Sequence, residues 1–517
     1  MKPLHLPLSV LLLASSAAAQ IPVQYVTDAT NDNVWRCADL NADGDLNDPG
    51  EVVVFYSDVL GSIVLGNNVG LHAGPDATVY VTDSTEDCVL AFRDFNGDGN
   101  ANSDGEHWRF FDGRAGGNAS AVLMPAANGL YFDRNTGVWW VASSNSGSTG
   151  NDAILRLVDL NGDGDANDAG EASEFWTFPG SPGGDSLPQA VTVGLDGAVY
   201  FMDAPSSGLR QKGVYRLQDL NSDGDAMDVG EETLFFVPPF TATPFYWCLE
   251  LGPDGWFYTA DTGNEIVWRF RDLNSNGVIG AGEFSAFYTV GSASTMWDLT
   301  VAPDGSVYVS DFAPTSRIIR LLDGDASGVI GPGEATVVYD EALSPSVIGN
   351  GRGIDLEREL SAGVAYCYGD GTGNACPCGN VGTAGKGCAN SIFASGARLE
   401  TQGAASIAND TLALVGTRMP NSSALYFQGT TTAGGGPGVV FGDGLRCVGG
   451  SVIRLGTKSN VAGLSRYPAP GDQPVSVRGQ NAAGNVRYYQ VWYRNAAAFC
   501  TPDTFNLSNG VELTWAP

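Results

Sequence analysis

A repeated acidic segment constrains most strongly what this chain can fold into. Six segments rich in Asp, Asn and Gly recur at spacings of 55, 65, 60, 53 and 51 residues. They read DLNADGDLNDPGE, DFNGDGNANSDGE, DLNGDGDANDAGE, DLNSDGDAMDVGE, DLNSNGVIGAGE and DGDASGVIGPGE, and they begin at Asp39, Asp94, Asp159, Asp219, Asp272 and Asp323. A repeat of this length is typical of a propeller blade that carries an inserted loop.

Short β-branched and aromatic runs flank each acidic segment. NVWRCADL is an example of a run that enters a segment, and EVVVFYSD is an example of a run that leaves one. Before most of these pairs stands a tight turn followed by an aromatic strand, as in GPDGWFYTAD. Such runs, bounded by Gly, Pro, Asn and Asp, indicate strands. The predicted unit is a four-stranded antiparallel blade with its acidic loop between strands three and four.

The two ends of the repeat region predict how the ring closes. The region starts at Ile21 with a second-strand segment, QYVTDA, and the missing inner strand appears late as RGIDLE, residues 352–357. Pairing these two segments would remove the open sheet edges. We therefore predict an all-β fold with a six-bladed β-propeller over residues 21–358. The turn-strand-strand pattern resembles that of the NHL and lactonase-like six-bladed propellers, and the resemblance covers no catalytic motif.

The acidic segments predict calcium loops. In the fifth segment, Asp272, Asn274 and Asn276 take positions one, three and five, Gly277 takes the turn at six, and Glu283 stands at twelve. Alternate side-chain oxygens in a tight turn converge on one point, and a distal Glu adds two more, which suits a cation with six to eight oxygen ligands. The pattern resembles EF-hand, dockerin and integrin-type loops. Dockerin loops form close pairs between helices, so loops within propeller hairpins, as in the integrin α-chain, are the better match.

The first four segments are one residue longer, which leaves their last ligand open. Their glutamates fall at position thirteen, and three of them carry Asp at position ten. The last ligand is then the residue at ten, or the glutamate reaches in, or the glutamate only starts the next strand. The candidate ligands of the first four segments are Asp39, Asn41, Asp43, Asp45, Asp48, Glu51, Asp94, Asn96, Asp98, Asn100, Glu106, Asp159, Asn161, Asp163, Asp165, Asp168, Glu171, Asp219, Asn221, Asp223, Asp225, Asp228 and Glu231. Those of the last two are Asp272, Asn274, Asn276, Glu283, Asp323, Asp325, Ser327 and Glu334.

Several calcium ions, up to six, are therefore expected. The alternative is that the segments are metal-free Asx and Gly turns. The second segment has few carboxylates in suitable places, and the fifth and sixth carry fewer charges, so we expect these three to bind most weakly. The segments hold 24 of the 58 acidic residues of a chain whose formal net charge is −32. Such a charge argues against nucleic acid and anionic membrane surfaces as partners.

The first 19 residues read as a secretory signal peptide. Lys2 precedes the apolar run 6–14, and small residues stand before Gln20. The run is too short to span a bilayer, and no later run reaches about 18 apolar residues. We expect a secreted protein, extracellular or at the cell surface, without a membrane span.

The last third of the chain has a different composition. After a predicted linker over residues 359–363, residues 364–517 are rich in Gly and strand-like runs and hold six cysteines, Cys367, Cys376, Cys378, Cys388, Cys447 and Cys500. In an exported protein six cysteines predict up to three disulfides, whose pairing stays open; zinc at the C-x-C pair is the alternative. We predict a small disulfide-containing β-sandwich or jelly-roll domain. It resembles a C-terminal module that recurs in secreted bacterial proteins.

Polar and aromatic side chains are expected at one mouth of the propeller channel. Weak catalytic candidates there are His72, Glu250, Asp298 and Asp355, with Trp247 and Trp297 among the neighbouring aromatic residues. The chain contains no G-x-S-x-G, H-E-x-x-H or P-loop motif. The Asp that ends most second strands is expected to bind loop amides. We predict a calcium-binding propeller that binds or adheres to an extracellular glycan or protein. The alternative is a hydrolase, lactonase or sugar dehydrogenase with its site at the channel mouth.

Overall fold

The computed structural model describes most of the chain after Gln20. The described ranges are 21–74, 77–133, 136–144, 152–178, 185–205, 210–239, 245–290, 294–357, 363–403, 405–407, 410, 412–460, 463–469, 472–495 and 499–516. The predicted signal peptide and residues 359–362 of the predicted linker lie outside the described residues and stay predictions.

Six four-stranded antiparallel sheets follow one another between residues 24 and 356. Their strands are β1 (Gln24–Asp28), β2 (Asn33–Cys37), β3 (Val52–Ser57), β4 (Asn68–Ala73), β5 (Val79–Asp83), β6 (Cys88–Phe92), β7 (His107–Asp112), β8 (Ala127–Asp133), β9 (Val138–Ser143), β10 (Ala153–Leu157), β11 (Ala172–Thr177), β12 (Pro188–Val193), β13 (Val199–Asp203), β14 (Gly213–Leu217), β15 (Glu232–Phe236), β16 (Glu250–Leu251), β17 (Phe257–Asp261), β18 (Ile266–Phe270), β19 (Phe284–Thr289), β20 (Met296–Val301), β21 (Val307–Asp311), β22 (Arg317–Leu321), β23 (Ala335–Asp340) and β24 (Gly351–Leu356). Each sheet is one blade, and the blades are numbered one to six along the chain.

Blade one is completed by the last strand of the ring. Its order is β24-β1-β2-β3, whereas blades two to six contain four consecutive strands each. Tyr25 pairs with Asp355 and Val26 pairs with Ile354 in antiparallel register. The predicted closure by residues 352–357 is therefore confirmed, and the fold is a six-bladed β-propeller.

The acidic segments lie where they were predicted, between the third and fourth strands of each blade. We call them loops one to six, and their ranges are 39–51, 94–106, 159–171, 219–231, 272–283 and 323–334. The second strands are almost entirely buried, because neighbouring blades cover both of their faces. Between blades two and three, for example, the centroid of the Tyr80 ring lies 4.0 Å from that of Trp139 and 5.1 Å from that of Phe110.

The inner strands approach each other closely around the channel. A Cβ atom on Gly70 would lie 2.6 Å from the carbonyl oxygen of Asn128 in the next blade. A Cβ atom on Gly353 would lie 2.8 Å from the backbone nitrogen of Leu71. Real Cβ contacts are longer than this, so only glycine fits where the inner strands meet.

The C-terminal module packs two main sheets against each other. Its strands are β25 (Val364–Tyr366), β26 (Arg398–Gln402), β27 (Ala413–Thr417), β28 (Ser423–Gly429), β29 (Thr431–Thr432), β30 (Val439–Phe441), β31 (Gly444–Arg446), β32 (Val448–Gly449), β33 (Ile453–Ser459), β34 (Ser465–Tyr467), β35 (Val486–Arg494), β36 (Phe505–Leu507) and β37 (Gly510–Thr514), with one helix, α1 (Val475–Gly479). The larger sheet has the order β25-β37-β35-β28-β33, with β36 paired to β35, and the smaller has β26-β27-β34. Tyr426, Tyr489, Tyr493 and Trp515 are fully buried in the core between them. The predicted β-sandwich is confirmed.

Three disulfides staple the beginning of the module to its later strands. They join Cys367 to Cys447, Cys376 to Cys388 and Cys378 to Cys500. The zinc alternative for the C-x-C pair is wrong, because both of its sulfurs are used in disulfides. In the described part of the chain, no helix is long and apolar enough to cross a bilayer.

Candidate metal loops and channel cavity

The side-chain oxygens of each acidic loop turn inward onto the loop's own backbone. In loop one, Asp39 Oδ2 accepts a hydrogen bond from the Gly44 amide at 3.1 Å, and Asn41 Oδ1 accepts one from the Asp43 amide at 2.9 Å. Gly44 has a φ of +94°, a value that favours glycine, as the sharp turn at position six requires. Loop five repeats the arrangement, with the Gly277 amide 2.8 Å from Asp272 Oδ2.

The distal glutamates reach back into the loops in both loop lengths, and which residue is the last metal ligand stays a prediction. Glu51, at position thirteen, accepts hydrogen bonds from the Leu40 amide at 3.0 Å and the Asp48 amide at 3.1 Å. Glu283, at position twelve of a shorter loop, accepts them from Leu273 at 2.9 Å and Gly280 at 2.8 Å. The second residue of the loop is thus tied to the glutamate in both loop lengths. The other four glutamates are bound in the same way.

The donor sets of the loops fit a hard cation. Asp39 Oδ1 is buried and has no hydrogen-bond partner among the described residues, so a cation would satisfy an otherwise unpaired oxygen. Carboxylate oxygens lie within 4.8 Å of one another in loop two and in loop six; the groups are Asp94, Asp98 and Glu106, and Asp323, Asp325 and Glu334. An all-oxygen set with several carboxylates is the chemistry that Ca²⁺ prefers.

The loops differ in what neutralises their carboxylates. In loop one, the Asn41 amide nitrogen lies 3.0 Å from Asp43 Oδ2 and 2.6 Å from Asp48 Oδ2, and so separates the two carboxylates. Loops three and four repeat this bridge. In loop six, Arg269 Nη1 lies 3.7 Å from Asp323 Oδ2. Among the described residues, three carboxylates lie within 4.8 Å of one another only in loops two and six, both predicted among the weaker binders. The order of affinities stays a prediction.

Each loop also binds the preceding blade through one backbone hydrogen bond, which we call the clasp. The amide of the residue at position eight donates a hydrogen bond of 2.7 to 2.8 Å to a carbonyl in the fourth strand of the blade before it. The six bonds run from Leu46 to Val338, Ala101 to Phe55, Ala166 to Phe110, Ala226 to Phe175, Ile279 to Phe235 and Ile330 to Phe287. The bond from Leu46 reaches blade six, so the clasps form a complete ring around the propeller.

A β-bulge in every fourth strand makes the clasp possible. The pairing register of blade three moves from Ile154–Trp176 to Leu155–Glu174, which leaves Phe175 opposite no residue. The acceptor residue sits in such a bulge in all six blades. A bulged residue takes no part in the hydrogen-bond ladder between the two strands, so its carbonyl can turn toward the neighbouring loop. The sequence carried a signal for this clasp, since position eight is apolar in all six loops, but the prediction did not include it.

A second contact strengthens three of the six clasps. The Asn at position nine accepts a hydrogen bond from an amide of the preceding blade, for example from Asp112 to Asn167 Oδ1 at 2.8 Å. Asn47 and Asn102 act in the same way. Loop four has Met227 at this position, and loops five and six have glycine there. The interfaces before blades one, two and three are therefore tied more firmly.

The aspartates that end the second strands bind loop amides, as predicted. Asp28 accepts hydrogen bonds from Thr30, Gly349 and Asn350, and so joins the two ends of the ring. Burial acts to raise the pKa of Asp28, but these hydrogen bonds outweigh it and hold the pKa below its usual value. Asp83, Asp203, Asp261 and Asp311 receive equivalent bonds. These carboxylates are structural.

The four catalytic candidates line one cavity at the channel mouth. The cavity follows the inner strands of all six blades from Trp247 and Trp297 at the channel mouth down to Thr300 and Asp355, each the fifth residue of its strand. His72, Glu250, Asp298 and Asp355 all contribute to its wall. The structure therefore brings the four candidates together.

His72 and Asp355 form a buried pair in this cavity. His72 Nδ1 lies 3.3 Å from Asp355 Oδ2, and both side chains are almost fully buried. Asp355 also accepts hydrogen bonds from the Thr300 hydroxyl at 2.8 Å and the Ala73 amide at 2.9 Å. These bonds fix the carboxylate that orients the imidazole ring.

Asp298 lies beside this pair and titrates near neutrality. Burial, together with the Asp355 carboxylate, raises the pKa of Asp298 to about 7, against opposing hydrogen bonds from the Ile354 and Leu299 amides. Those two bonds are 3.0 and 2.9 Å long. A carboxyl group of this kind can give or take a proton at neutral pH.

Aromatic side chains form the rim of the cavity. The rings of Trp247 and Trp297 stack with centroids 4.1 Å apart and planes at 12°. The Arg352 guanidinium lies 4.5 Å from the Trp297 ring and donates a hydrogen bond to Asn67. Phe245, which is 37% exposed, packs against Trp247 at 4.4 Å. The rim is thus aromatic and partly accessible and carries one guanidinium, while the cavity below it is acidic.

The fold defines the class of this protein, a β-propeller joined to a β-sandwich. No family model and no curated protein matches the sequence. Among solved structures, virginiamycin B lyase from Staphylococcus aureus is 14% identical, with 63% of this chain and 86% of that chain covered and a TM-score of 0.37.

Two further structures have comparable similarity. A structure of a nidogen/laminin complex is 11% identical, covers 64% of this chain and 97% of that one, and has a TM-score of 0.41. An aldose sugar dehydrogenase from Streptomyces coelicolor with bound PQQ is 12% identical, covers 54% and 82%, and has a TM-score of 0.36. At these values the likeness bears on no residue and no activity of this chain.

Proposed function

We propose that this protein is a secreted calcium-binding propeller that binds an extracellular partner, and that its calcium is structural. The observation that carries the proposal is the ring of six acidic loops, each of which clasps the preceding blade through its position-eight amide. A cation in the loop would order the same short segment that holds two blades together. Calcium binding and the contact between neighbouring blades are then coupled.

Electrostatics supports the same role for calcium. The loops concentrate 24 acidic residues, and six bound Ca²⁺ ions would change the formal net charge of the chain from −32 to about −20. Without cations the carboxylates within a loop repel each other and oppose the turn that brings them together. The cation therefore stabilises the loop, and through it the ring. Loops of this kind can be occupied outside the cell, because the extracellular calcium concentration is high.

The channel mouth is the proposed binding face. The strand connections at this mouth lie on the side of the blades opposite the acidic loops, so a ligand there would not compete with calcium. Accessible aromatic rings are typical anchors for protein and glycan partners, and here Phe245 is exposed and Trp247 is half-buried. The ligand class is a glycan or a protein, and the negative charge argues against nucleic acid.

A binding screen in calcium tests this function. The full chain would be screened against immobilised glycans and extracellular-matrix proteins with calcium and with EDTA. We expect binding that needs calcium and that Trp247→Ala weakens. Phe95→Ala is the matched control, because Phe95 is 60% exposed in loop two, away from the channel mouth. Binding that is unchanged in Trp247→Ala would contradict a site at the channel mouth.

The second candidate function is a propeller enzyme, either a hydrolase or lactonase or a sugar dehydrogenase. The specific observation in its favour is that His72, Asp355, Asp298 and Glu250 share one cavity. In this role Asp355 would orient the imidazole, and His72 or Asp298 would transfer a proton at neutral pH.

Activity assays separate the two candidates. The chain would be assayed on lactones and glycosides, and on aldoses with an electron acceptor. An enzyme is expected to lose most of its turnover in Asp298→Asn and in His72→Gln, and to show a pH dependence near the Asp298 pKa of about 7. Absence of turnover on every substrate class, together with positive binding data, would reject the hypothesis that the protein is an enzyme.

A further inference from the structure

Three aromatic rings lie in a row on the module's larger sheet, on the face away from its core. On β35, Val491 and Tyr493 belong to the core, so Trp492, which lies between them, points to the other face. The centroid of the Trp492 ring lies 5.3 Å from that of Phe505 on β36, and the Phe505 centroid lies 4.9 Å from that of Phe441 on β30. We call these three rings the aromatic strip.

The neighbouring backbone holds the strip in place. Trp492 pairs with Leu425 on one adjacent strand and with Leu507 on the other. The backbone of Gly442 lies against the Phe505 ring, because a Cβ atom there would come within 2.3 Å of a ring carbon. Gly442 also has a φ of +61°, which favours glycine. Rings that are fixed before binding lose little conformational freedom when a ligand packs on them.

The strip is accessible to solvent, most of all at its β30 end. Phe441 is 43% exposed, and the preceding Val439 and Val440 are 44% and 59% exposed. Trp492 and Phe505 are half-buried. Exposed apolar side chains that form one continuous patch are typical of a binding surface.

Two arginines flank the strip. The guanidinium carbon of Arg494 lies 5.1 Å from the Trp492 centroid, and that of Arg446 lies 6.0 Å from the Phe441 centroid. Each donates one hydrogen bond of 2.9 Å to an uncharged oxygen, a hydroxyl for Arg494 and a backbone carbonyl for Arg446. Among the described residues, neither has a carboxylate oxygen within 4.0 Å. Both guanidiniums can therefore donate to an anionic group beside the rings.

The carboxylates around the strip balance these arginines only in part. Asp503 is exposed in the turn before β36. Asp443, in the turn between β30 and β31, is fully buried and accepts three hydrogen bonds. Glu512 is exposed on β37, where it pairs with Tyr488, four residues along β35 from Trp492. Asp503 is thus the accessible carboxylate that stands nearest to the strip in sequence.

The strip also belongs to the less acidic part of the chain. Residues 364–517 contain ten basic and seven acidic residues, whereas residues 21–363 contain 15 basic and 51 acidic residues. Arg418, next to the end of β27 in the smaller sheet, contacts the propeller at Gly197. The strip lies on the larger sheet, across the core from the smaller one. A polyanion is therefore repelled less at the strip than at the propeller surface.

We propose that the aromatic strip binds an acidic polysaccharide. The apolar faces of its sugar rings would pack on Trp492, Phe505 and Phe441. Its carboxylate or sulfate groups would bind Arg446 and Arg494, because a guanidinium can donate two parallel hydrogen bonds to such a group. The module would then attach the chain to a polysaccharide and leave the channel mouth to a ligand of its own. The proposal does not rest on the function of the channel mouth.

Calorimetric titration of the full chain with short oligosaccharides tests the strip. The probes are hyaluronate oligosaccharides, which carry carboxylates, sulfated dextran oligosaccharides, and uncharged dextran oligosaccharides of similar length. All are used at one ionic strength and one free calcium concentration. We expect saturable binding of at least one acidic probe, and weaker binding of the uncharged one. Binding of hyaluronate alone would support a carboxylate ligand, and binding of sulfated dextran alone would support a sulfate ligand.

Variants place the binding on the module. Trp492→Ala should weaken binding of the acidic probe about ten-fold or more, and Arg494→Gln should weaken it about three- to five-fold without removing a ring. Arg478→Gln removes the same charge from an exposed position on α1, and Phe95→Ala removes an exposed ring from loop two. Both controls should bind as the wild type does. Trp247→Ala should also do so, which separates this site from the channel mouth.

Charge effects and self-association complete the test. Asp503→Asn should strengthen binding of the acidic probe, and added salt should weaken it. Absence of saturable binding by both acidic probes would overturn the proposal. Equal affinity for acidic and uncharged probes would also overturn it, as would equal affinity in wild type, Trp492→Ala and Arg494→Gln. A dimer in sedimentation that Trp492→Ala dissociates would overturn it too, and would assign the strip to a second copy of the chain.

Discussion

The propeller and the C-terminal module hold their strands together by different means. The module has three disulfides. The propeller has none among its described residues, and its cysteines Cys37, Cys88 and Cys248 are buried and free. Instead, the propeller joins its blades by hydrogen bonds from acidic loops. The module carries a small positive charge, whereas the propeller is strongly acidic.

Because the two regions are held together differently, their stability depends on different conditions in the surrounding medium. A disulfide constrains a chain in any oxidising medium, whereas a calcium loop is strong only when the ion is present. Burial raises the pKa of the Cys37 and Cys88 thiols to about 12, which keeps these thiols unreactive. The propeller should therefore respond to chelators and the module to reductants, and each prediction below tests this separation.

The largest effect is expected on removing calcium. With calcium at 100 times its dissociation constant, each occupied loop adds about 2.7 kcal/mol to the free energy of unfolding. Loss of several ions should lower the propeller's melting midpoint by more than about 10 °C, as measured by scanning calorimetry with EDTA. The module's transition should stay in place, and added calcium should restore the first transition. A propeller melting midpoint that EDTA does not change would contradict a structural role for calcium.

Loss of one module disulfide should have the next largest effect. The bond between Cys378 and Cys500 joins residues 122 positions apart. Replacing both by serine should reduce the stability of the module by about 2–5 kcal/mol. The propeller's transition, recorded in the same calorimetric scan, is the internal control. A shift of the propeller by the same amount would show that the two regions do not unfold separately.

A single distal glutamate should matter less than a disulfide. Glu171 accepts the Leu160 and Asp168 amides that close loop three. Glu171→Gln removes a charge and one of these acceptors, which should cost about 1–3 kcal/mol in calcium and lower the calcium content by one ion. Glu174→Gln, an exposed position three residues later on β11, should change stability by less than about 0.5 kcal/mol. Equal effects of the two substitutions would rule out a special role for Glu171.

The smallest effect is expected at the second contact of a clasp. Asn167→Ala leaves the Asp112 amide without its 2.8 Å partner. The cost should be about 1 kcal/mol, measured by chemical unfolding in calcium. Met227→Ala changes the equivalent position of loop four, where the described part of the chain shows no such amide bond, and should cost less. If Met227→Ala is the more harmful change, the position-nine contact does not strengthen the clasp.

Much of the propeller was predictable because its signals are local and repeated. Alternation of strand runs with turn residues located the blades, and the leftover strand at 352–357 predicted the ring closure that Tyr25 and Asp355 complete. The loop positions followed from the spacing of Asp and Asn, since alternate residues in a tight turn point the same way. The sandwich followed from composition and cysteine content.

Contacts between distant parts of the chain could not be read in the same way. The clasp from Leu46 to Val338 joins residues far apart in sequence. It depends on a bulge whose place is set by strand pairing, although the bulged residue is Phe in the other five blades. The pairing of Cys378 with Cys500 likewise depends on the folded sheets, as does the meeting of His72 with Asp355.

The calcium content of the purified chain tests the central claim most directly. The protein would be equilibrated with calcium, passed through a calcium-free sizing column, and measured by elemental analysis before and after EDTA treatment. The account predicts several calcium ions per chain, up to six, before EDTA and none after it. A chain that holds no calcium before EDTA, yet keeps its propeller fold, would contradict the claim.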